Sequence, residues 1–95
     1  MNIPWYYVYV LKSTKYDKTY IGFSEDVFKR LEQHNQGLTK SIRRYIPYEL
    51  VYFEAYPDKS LARKRELQLK NSSWHKKLLF ERIFPNNYKK DNADD

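Results

Sequence analysis

Arg30 and His34 stand four residues apart in a segment with helical periodicity, so their side chains share one face of a predicted helix. An Arg guanidinium can bind a phosphate with its planar fork, or offset charge that develops on phosphorus. A His in the same place can orient water or donate to a phosphate oxygen. Tyr20 comes shortly before this helix, at a predicted strand, and adds a phenol. These residue types predict a cluster that handles phosphate.

Glu66 lies in a second helical pattern, on the side that also carries Ala62 and Leu69. Its carboxylate therefore faces the core, where it is costly unless it is paired, hydrated or bound to a metal. A single carboxylate can hold Mg²⁺ when waters and a substrate phosphate complete the coordination. The alternative is an ion pair with a nearby Arg, which is the commoner explanation for a Glu in such a position.

Each of these residues also has an ordinary structural explanation. Arg30 follows Lys29 and can be a solvated helix residue, while His34 can be satisfied by a neighbour. Tyr9 lies on a predicted strand that should pair with the strand of Tyr20, so both phenols can point to one face. The chain has ten Tyr, and each is by default a packing residue.

The elements that must position these side chains follow the order β-β-α-β-α-α. Residues 5–11 are aromatic and β-branched and predict a strand covered on both faces. The remaining predicted elements are strands over 19–22 and 48–56 and helices over 25–36, 60–70 and 74–84. This predicts an α+β fold, with a small three-stranded, mainly antiparallel sheet flanked by helices. Residues 1–84 form one predicted domain and residues 85–95 a polar tail, predicted to be disordered.

The ends of the first helix carry recognisable signals. Ser24 is the predicted N-cap, because its hydroxyl can accept from an orphan amide of the first turn. Gly37 is the predicted C-terminal cap. Between them, Val27, Phe28 and Leu31 form the predicted apolar stripe. For the second helix, Asp58 or Ser60 is the expected N-cap.

The composition excludes several classes of protein and site. The chain of 95 residues has no Cys, two His and two Gly, which excludes disulfides and thiolate metal sites and leaves no glycine-rich phosphate loop. No apolar run approaches the roughly 20 residues that span a bilayer. The N-terminus lacks the basic start and cleavage site of a signal peptide, and the absence of Cys is consistent with a cytoplasmic protein.

The formal net charge of +6 favours binding to polyanions through phosphate contacts and counterion release. Nucleic acid is favoured over an anionic membrane, because no strongly basic amphipathic anchor stands apart from the predicted fold. Lys40, Arg43 and Arg44 lie in a basic connection between predicted elements. On charge alone, they are the predicted contacts to a nucleic-acid backbone.

Taken in order, these residues resemble the GIY-YIG nuclease domain over about residues 5–84. The first signature tripeptide corresponds to residues 7–9, in which the terminal Tyr9 is kept, and the second is intact over residues 20–22. The Arg, the imidazole and the metal-binding Glu of the family match Arg30, His34 and Glu66. The chain is most similar to the short bacterial members, which are related to the N-terminal domain of an excinuclease of nucleotide excision repair.

The resemblance implies a metal-dependent endonuclease that hydrolyses phosphodiester bonds, with DNA favoured over RNA as substrate and DNA repair as a familiar setting. Glu66 would hold one Mg²⁺ or Mn²⁺. Tyr9 would position or deprotonate the attacking water, and Tyr20 and His34 would hold that network. Arg30 would bind the phosphate. Since the chain has no separate DNA-binding domain, affinity would come from its basic surface or from a protein partner.

The sequence leaves two alternatives open. Many active members carry an Asn after the metal-binding Glu, but Asn71 is too close to Glu66, and Asn86 and Asn87 fall in the predicted tail. This absence is the reason for the first alternative, a nucleic-acid-binding module with weak or no turnover. The other alternative is a structural or interaction protein in which Arg30 and Glu66 form a buried ion pair without an open cleft.

Overall fold

The structure is a computed structural model, and it describes residues 4–84. Three strands, one short 3-10 turn and three α-helices follow one another in the predicted order β-β-α-β-α-α. They are β1 (Tyr6–Ser13), β2 (Thr19–Ser24), α1 (Val27–Asn35), the 3-10 turn (Arg43–Tyr45), β3 (Tyr48–Tyr56), α2 (Lys59–Asn71) and α3 (Ser73–Ile83). The predicted tail over 85–95 lies outside the described residues. No helix within residues 4–84 is long and apolar enough to cross a membrane.

The sheet has the order β2-β1-β3, and β1 pairs antiparallel with both neighbours. The predicted α+β class with an antiparallel three-stranded sheet is therefore confirmed. The four consecutive residues from Val8 to Leu11 are buried, as expected for a central strand covered on both faces. The exposed residues of the sheet belong to the two outer strands, β2 and β3.

The two faces of the sheet carry separate apolar clusters. Residues of β1 that point to one face, Tyr9 and Leu11, pack with Val27 of α1. Those that point to the other face, Val8 and Val10, pack with α2 and α3. This division follows from the alternation of side chains along a strand. It places α1 on one face and the two later helices on the other.

An irregularity in the pairing of β1 with β3 lets β3 serve both faces. Val10 pairs with Tyr52 and Leu11 with Leu50, so Val51 is an extra residue in β3. Leu50 packs in the cluster on the α1 side, whereas Val51 and Tyr52 pack on the α2 side. This is the effect of a β-bulge, which resets the alternation along one strand.

The predicted start of α1 is wrong by two residues. β2 continues to Ser24, so the chain is still extended at that position. The Ser24 hydroxyl accepts from the backbone N–H of Asp26 at 2.9 Å, which builds the turn before the helix. The N-cap is Asp26, whose carboxylate accepts from the backbone N–H of Lys29 at 3.0 Å. An Asp serves as well as a Ser at this position.

The predicted end of α1 is confirmed. Gly37 has φ of +80°, and its N–H donates to the carbonyl of His34 at 3.0 Å. The next N–H, that of Leu38, donates to the carbonyl of Gln33 at 3.2 Å. This pair of bonds is the Schellman motif, in which a residue with positive φ ends the helix.

The apolar stripe of α1 differs from the predicted one. Phe28 is 70% exposed and does not belong to the core, while Val27 is buried as predicted. The other buried residue of this helix is His34. A polar ring therefore occupies a core position in α1, where it needs hydrogen-bond partners.

The caps of the other two helices are polar side chains. The Asp58 carboxylate accepts from the backbone N–H of Ser60 at 2.7 Å. Of the two predicted candidates, Asp58 and Ser60, Asp58 is therefore the N-cap of α2. Ser72 alone separates α2 from α3 and caps α3 by accepting from the backbone N–H of His75. The predicted three-residue break between these helices is therefore a single residue.

Candidate active site

Tyr9 and Gly22 are partners across the β1–β2 pairing. A Cβ atom built on Gly22 would overlap the Tyr9 hydroxyl and would lie 2.9 Å from the Tyr20 ring. The missing side chain at position 22 therefore leaves the space in which the Tyr9 phenol ends. The rings of Tyr9 and Tyr20 have their centroids 6.3 Å apart, on the same face of the sheet as predicted.

His34 completes this group from α1. Its Nε2 lies 2.9 Å from the Tyr9 hydroxyl, and its Nδ1 lies 2.8 Å from the hydroxyl of Thr39. The Tyr20 ring packs edge-on against the imidazole, with centroids 4.9 Å apart. A neutral imidazole has one donor and one acceptor nitrogen, so either hydroxyl can donate while the other accepts. Tyr9, His34 and Thr39 thus form a continuous hydrogen-bonded chain.

Burial moves the pKa values of Tyr9 and His34 away from neutral pH in opposite directions, so both groups are uncharged there. Burial, with a contribution from the Arg30 charge, lowers the pKa of His34 to about 4, so the imidazole is neutral. Burial also raises the pKa of the Tyr9 phenol well above its usual range, and Tyr20 adds to this rise. The positive charge of Arg30 opposes it.

Arg30 lies half-buried beside this group. Its guanidinium donates to the side chain of Gln33 at 3.0 Å, and its charge acts on the pKa values of both Tyr9 and His34. A groove of roughly 340 Å³ runs past it, lined by Phe23, Ser24, Glu25, Asp26, Lys29, Arg30 and Gln33. Arg30 therefore acts on the Tyr9 phenol and also lines an open groove, where an anion could reach its remaining N–H groups.

Glu66 is buried, as its helical pattern predicts. One carboxylate oxygen is 2.7 Å from Arg63 and the other is 2.9 Å from Lys70. The Lys70 ammonium also lies 5.6 Å from the centre of the Tyr20 ring, and the Glu66 charge contributes to the raised pKa of Tyr9. The carboxylate therefore belongs to the neighbourhood of the two tyrosines, although it comes from a helix on the other side of the sheet.

The ion pair that the structural alternative required does not occur among residues 4–84. Arg30 bonds to Gln33, and Glu66 pairs with cations of its own helix, three and four residues away. The expected pairing of Glu66 with an Arg is found, but the partner is Arg63. The structural alternative also required that there be no open cleft at Arg30, but a groove lies beside this residue.

A second carboxylate fixes α2 against the sheet. Glu54 of β3 accepts from Arg65 at 3.0 Å and from the hydroxyls of Tyr52 and Tyr56. These donors hold the pKa of Glu54 below its usual value, even though burial alone would raise it. We call the Arg65–Glu54 ion pair the α2 clamp. Since Arg65 directly precedes Glu66, the α2 clamp fixes the direction in which the Glu66 side chain leaves the helix. The pairing of Glu54 with Arg65 could not be predicted from the alternating pattern of β3. The bulge at Val51 determines which face of the sheet Glu54 is on.

The three predicted phosphate contacts lie on the connection between α1 and β3. Lys40, Arg43 and Arg44 are all exposed, and the last two belong to the 3-10 turn. The connection includes Thr39, which bonds to His34. These cations therefore belong to the connection that contacts His34 through Thr39, but no hydrogen bond within residues 4–84 joins them to Tyr9 or Arg30.

No group of three or more His, Cys, Asp or Glu side chains that could hold a metal occurs within residues 4–84. Glu66 is the carboxylate that belongs to the tyrosine group, and both of its oxygens are occupied by cations with exposed side chains, Arg63 at 52% and Lys70 at 40%. A carboxylate is the kind of oxygen donor that Mg²⁺ takes, with waters and substrate phosphate as further ligands, but both oxygens of Glu66 would first have to leave these cations.

An antiparallel sheet with a Tyr from each of two paired strands, and an Arg and a His on the following helix, defines a GIY-YIG type domain. The family of the GIY-YIG catalytic domain matches residues 5–89, and the chain belongs to this family. The matched range includes Asn86 and Asn87, which lie outside the described residues. The predicted resemblance is confirmed.

The similar proteins are small bacterial ones. A UPF0213 protein of Staphylococcus saprophyticus is 43% identical over 77 residues, which are 77% of this chain and 89% of that protein. A UPF0213 protein of Staphylococcus aureus is 42% identical with the same coverage. The solution NMR structure of a UPF0213 protein from Bacillus halodurans is similar with a TM-score of 0.52 and 30% identity, covering 88% of this chain and 89% of that one.

Proposed function

We propose that the protein is a metal-dependent endonuclease that hydrolyses phosphodiester bonds in nucleic acid, with DNA favoured over RNA. The observation that supports this most is the meeting of Tyr9, Tyr20 and His34 with the carboxylate of Glu66, in a chain of the GIY-YIG family. The basic net charge agrees with a polyanionic substrate.

Glu66 would hold one Mg²⁺ or Mn²⁺, after Arg63 and Lys70 have moved away from its oxygens. Both cations have exposed side chains, so their ammonium and guanidinium groups can return to water, while the metal would replace them as the positive charge beside the buried carboxylate. When bound, the metal would supply positive charge that offsets the charge on the leaving oxygen of the phosphodiester. Lys70 would then be free to contact the substrate backbone.

Tyr9 is the residue that would position the attacking water. Its oxygen can accept a hydrogen bond from that water while its own proton points to Nε2 of His34, 2.9 Å away. The neutral state of both groups suits this arrangement, since a phenol can donate in one direction and accept in another. Tyr20 packs against both rings and keeps them in place.

Arg30 would bind the scissile phosphate and stabilise the charge that develops on it. One of its N–H groups is used by Gln33, and a guanidinium has five N–H donors. Its position at the groove leaves the remaining donors for an incoming phosphate. Removal of a donor of this kind typically lowers the rate by about 10²- to 10³-fold.

Glu66→Gln is the test of the metal assignment, with Glu81→Gln as a matched control on an exposed position of α3. Cleavage of branched, nicked and single-stranded DNA is measured with Mg²⁺ and with Mn²⁺. We expect Glu66→Gln to lose metal-dependent cleavage while its far-ultraviolet circular dichroism spectrum stays that of the wild type. Cleavage by this variant at the wild-type rate would show that Glu66 does not hold the metal.

A nucleic-acid-binding module without turnover is the second candidate, and one observation favours it. Both oxygens of Glu66 are already neutralised by Arg63 and Lys70, so the carboxylate has no electrostatic need of a metal. The same assay separates the two functions. If the wild type binds DNA but cuts none of the substrates with either metal, the chain is a binding module.

A further inference from the structure

The turn between β1 and β2 and the 3-10 turn before β3 together present two aromatic rings and two cations. The Tyr16 and Tyr45 rings meet edge to face, with centroids 5.4 Å apart. The Lys18 ammonium lies 5.3 Å and the Arg44 guanidinium 5.8 Å from the centre of the Tyr45 ring. Tyr16 is 49% exposed. We call these four residues the turn platform.

The turn platform is held by a dense set of hydrogen bonds around Ser13, which is 2% exposed. The Ser13 hydroxyl donates to the carbonyl of Tyr45 at 2.7 Å and accepts from the backbone N–H groups of Lys15 and Tyr16. The backbone of Thr14 donates to the carbonyl of Pro47 at 2.9 Å. Two segments far apart in the chain are thus joined into one surface, and the aromatic rings do not depend on each other alone for their position.

The turn platform lies within reach of the active-site group. Ser13 is four residues beyond Tyr9 on β1, which is about 13 Å along a strand. From the other side, Thr39 bonds to His34 and belongs to the connection that leads to Arg44 and Tyr45. A polymer that contacts Tyr9 and His34 can therefore extend towards the turn platform along β1 or along this connection.

We propose that the turn platform binds an unpaired stretch of the nucleic-acid substrate, with one base stacked on the exposed Tyr16 ring and the flanking phosphates held by Lys18 and Arg44. Exposed aromatic rings together with nearby cations are how proteins bind single strands, since every base has a face that can stack. A base inside a duplex has no free face for Tyr16. The proposal rests on the proposed nucleic-acid substrate and specifies which form of it is bound.

Binding without metal tests the turn platform separately from cleavage. The affinities for a fluorescein-labelled single-stranded DNA of about twelve nucleotides, a length within the usual site sizes, and for the matching duplex are measured by fluorescence anisotropy in EDTA. Tyr16→Ala should weaken single-strand binding by about 5- to 100-fold, which corresponds to the loss of one stacked base. Duplex binding should change by less than about twofold. Trp74→Ala, which removes an exposed aromatic ring from α3, should leave both affinities unchanged.

The two cations are tested through the salt dependence of binding. The double substitution Lys18→Ala with Arg44→Ala should lower the slope of log affinity against log salt by about 1.4 for the single strand, because two phosphate contacts are lost. Lys77→Ala with Arg82→Ala removes the same charge from exposed positions of α3, on the other face of the sheet. That control should leave the slope close to the wild-type value.

Each outcome bears on one proposal. Single-strand binding by Tyr16→Ala at the wild-type affinity would overturn the turn platform, even if the protein cuts DNA. Binding that depends on Tyr16, in a protein that cuts nothing, would keep the platform and overturn the nuclease. The protein could instead bind vesicles of phosphatidylserine and no DNA, with vesicle binding weakened by the same substitutions. That result would overturn the nucleic-acid proposal and show that the turn platform binds an anionic membrane.

Discussion

Tyr9 and Gly22 are cross-strand partners, and the Tyr9 hydroxyl occupies the space in which a side chain at position 22 would lie. The second tyrosine borders the same space, because the Tyr20 ring would contact the added atom as well. The glycine is therefore part of the site through its missing side chain. A substitution at this position acts on the geometry of the candidate site without removing any functional group.

Gly22→Ala should displace the Tyr9 phenol from His34 and lower cleavage to a few per cent of the wild-type rate or less. It should also destabilise the fold by about 1–3 kcal/mol, as overpacking of a core does. Urea unfolding and a single-turnover cleavage assay measure the two effects.

Gly37→Ala is the control for Gly22→Ala. The φ of +80° strains an Ala there by about 1–2 kcal/mol, so this variant is also less stable. Its Cβ would be 3.8 Å from the nearest atom, so cleavage per folded molecule should persist. Equal cleavage by both variants would contradict the role of Gly22.

His34 should make the protein less stable in mild acid. Its pKa is about 4 in the folded protein and about 6.5 in the unfolded chain, so the unfolded state takes up a proton first as the pH falls. The contribution of His34 is present above the unfolded pKa and is lost as the pH falls towards 4. Between pH 7 and pH 5 the free energy of unfolding should fall by about 2 kcal/mol.

Urea unfolding at pH 5, 6 and 7 measures this dependence. His34→Gln should remove most of the slope between pH 5 and pH 7, whereas His75→Gln, at the half-buried N-terminal turn of α3, should keep it. A wild-type protein whose unfolding free energy is constant over this range would show that His34 titrates normally.

Thr39→Val should disturb the site through His34 alone. The substitution keeps the shape of the side chain but removes the hydroxyl that lies 2.8 Å from Nδ1. A buried nitrogen without its hydrogen-bond partner lowers the free energy of unfolding by about 1–3 kcal/mol. The Thr39 hydroxyl would also no longer favour one tautomer of the imidazole over the other. The nitrogen-15 shifts of the His34 ring should move and the cleavage rate should fall. Thr39→Ser restores a hydroxyl and should restore both, and unchanged ring shifts in Thr39→Val would contradict the contact.

Lys70→Gln should strengthen metal binding at Glu66. The ammonium lies 2.9 Å from the carboxylate and competes with a divalent cation for it. Since a pair with an exposed cation contributes about 0.2–1 kcal/mol, the affinity for Mn²⁺ should rise by about 1.4- to 5-fold. Isothermal titration with Mn²⁺ measures it. Lys64→Gln, on an exposed position of the same helix, is the control for the general loss of charge, and an equal rise in both variants would point away from Glu66.

Most of the fold could be predicted because each element has a local signal. The central strand is apolar on both faces, Gly37 ends α1, and Asp58 begins α2. The start of α1 could not be placed from local signals, because Ser24 and Asp26 are both good caps. The choice depends on how far β2 continues its pairing with β1.

The sequence could predict that the candidate residues lie together, but not which contacts they make. The sequence predicts that Tyr9, Tyr20 and His34 act together, and they meet in the structure. Thr39 was missed, since it reaches His34 only because the Schellman motif turns the chain back over the end of α1. The pairing of Glu66 with Lys70 could have been found from their spacing of four residues alone.

The α2 clamp between Arg65 and Glu54 limits where a residue can be inserted into this chain. Arg65 is fixed to β3, and Glu66 follows it on α2. One residue inserted between them would rotate the carboxylate by about 100° around the helix axis and turn it away from the tyrosines. The same insertion before Asp58 would leave the two residues in phase, because the turn can absorb it. Natural variation in length should therefore be tolerated before α2 and absent between Arg65 and Glu66.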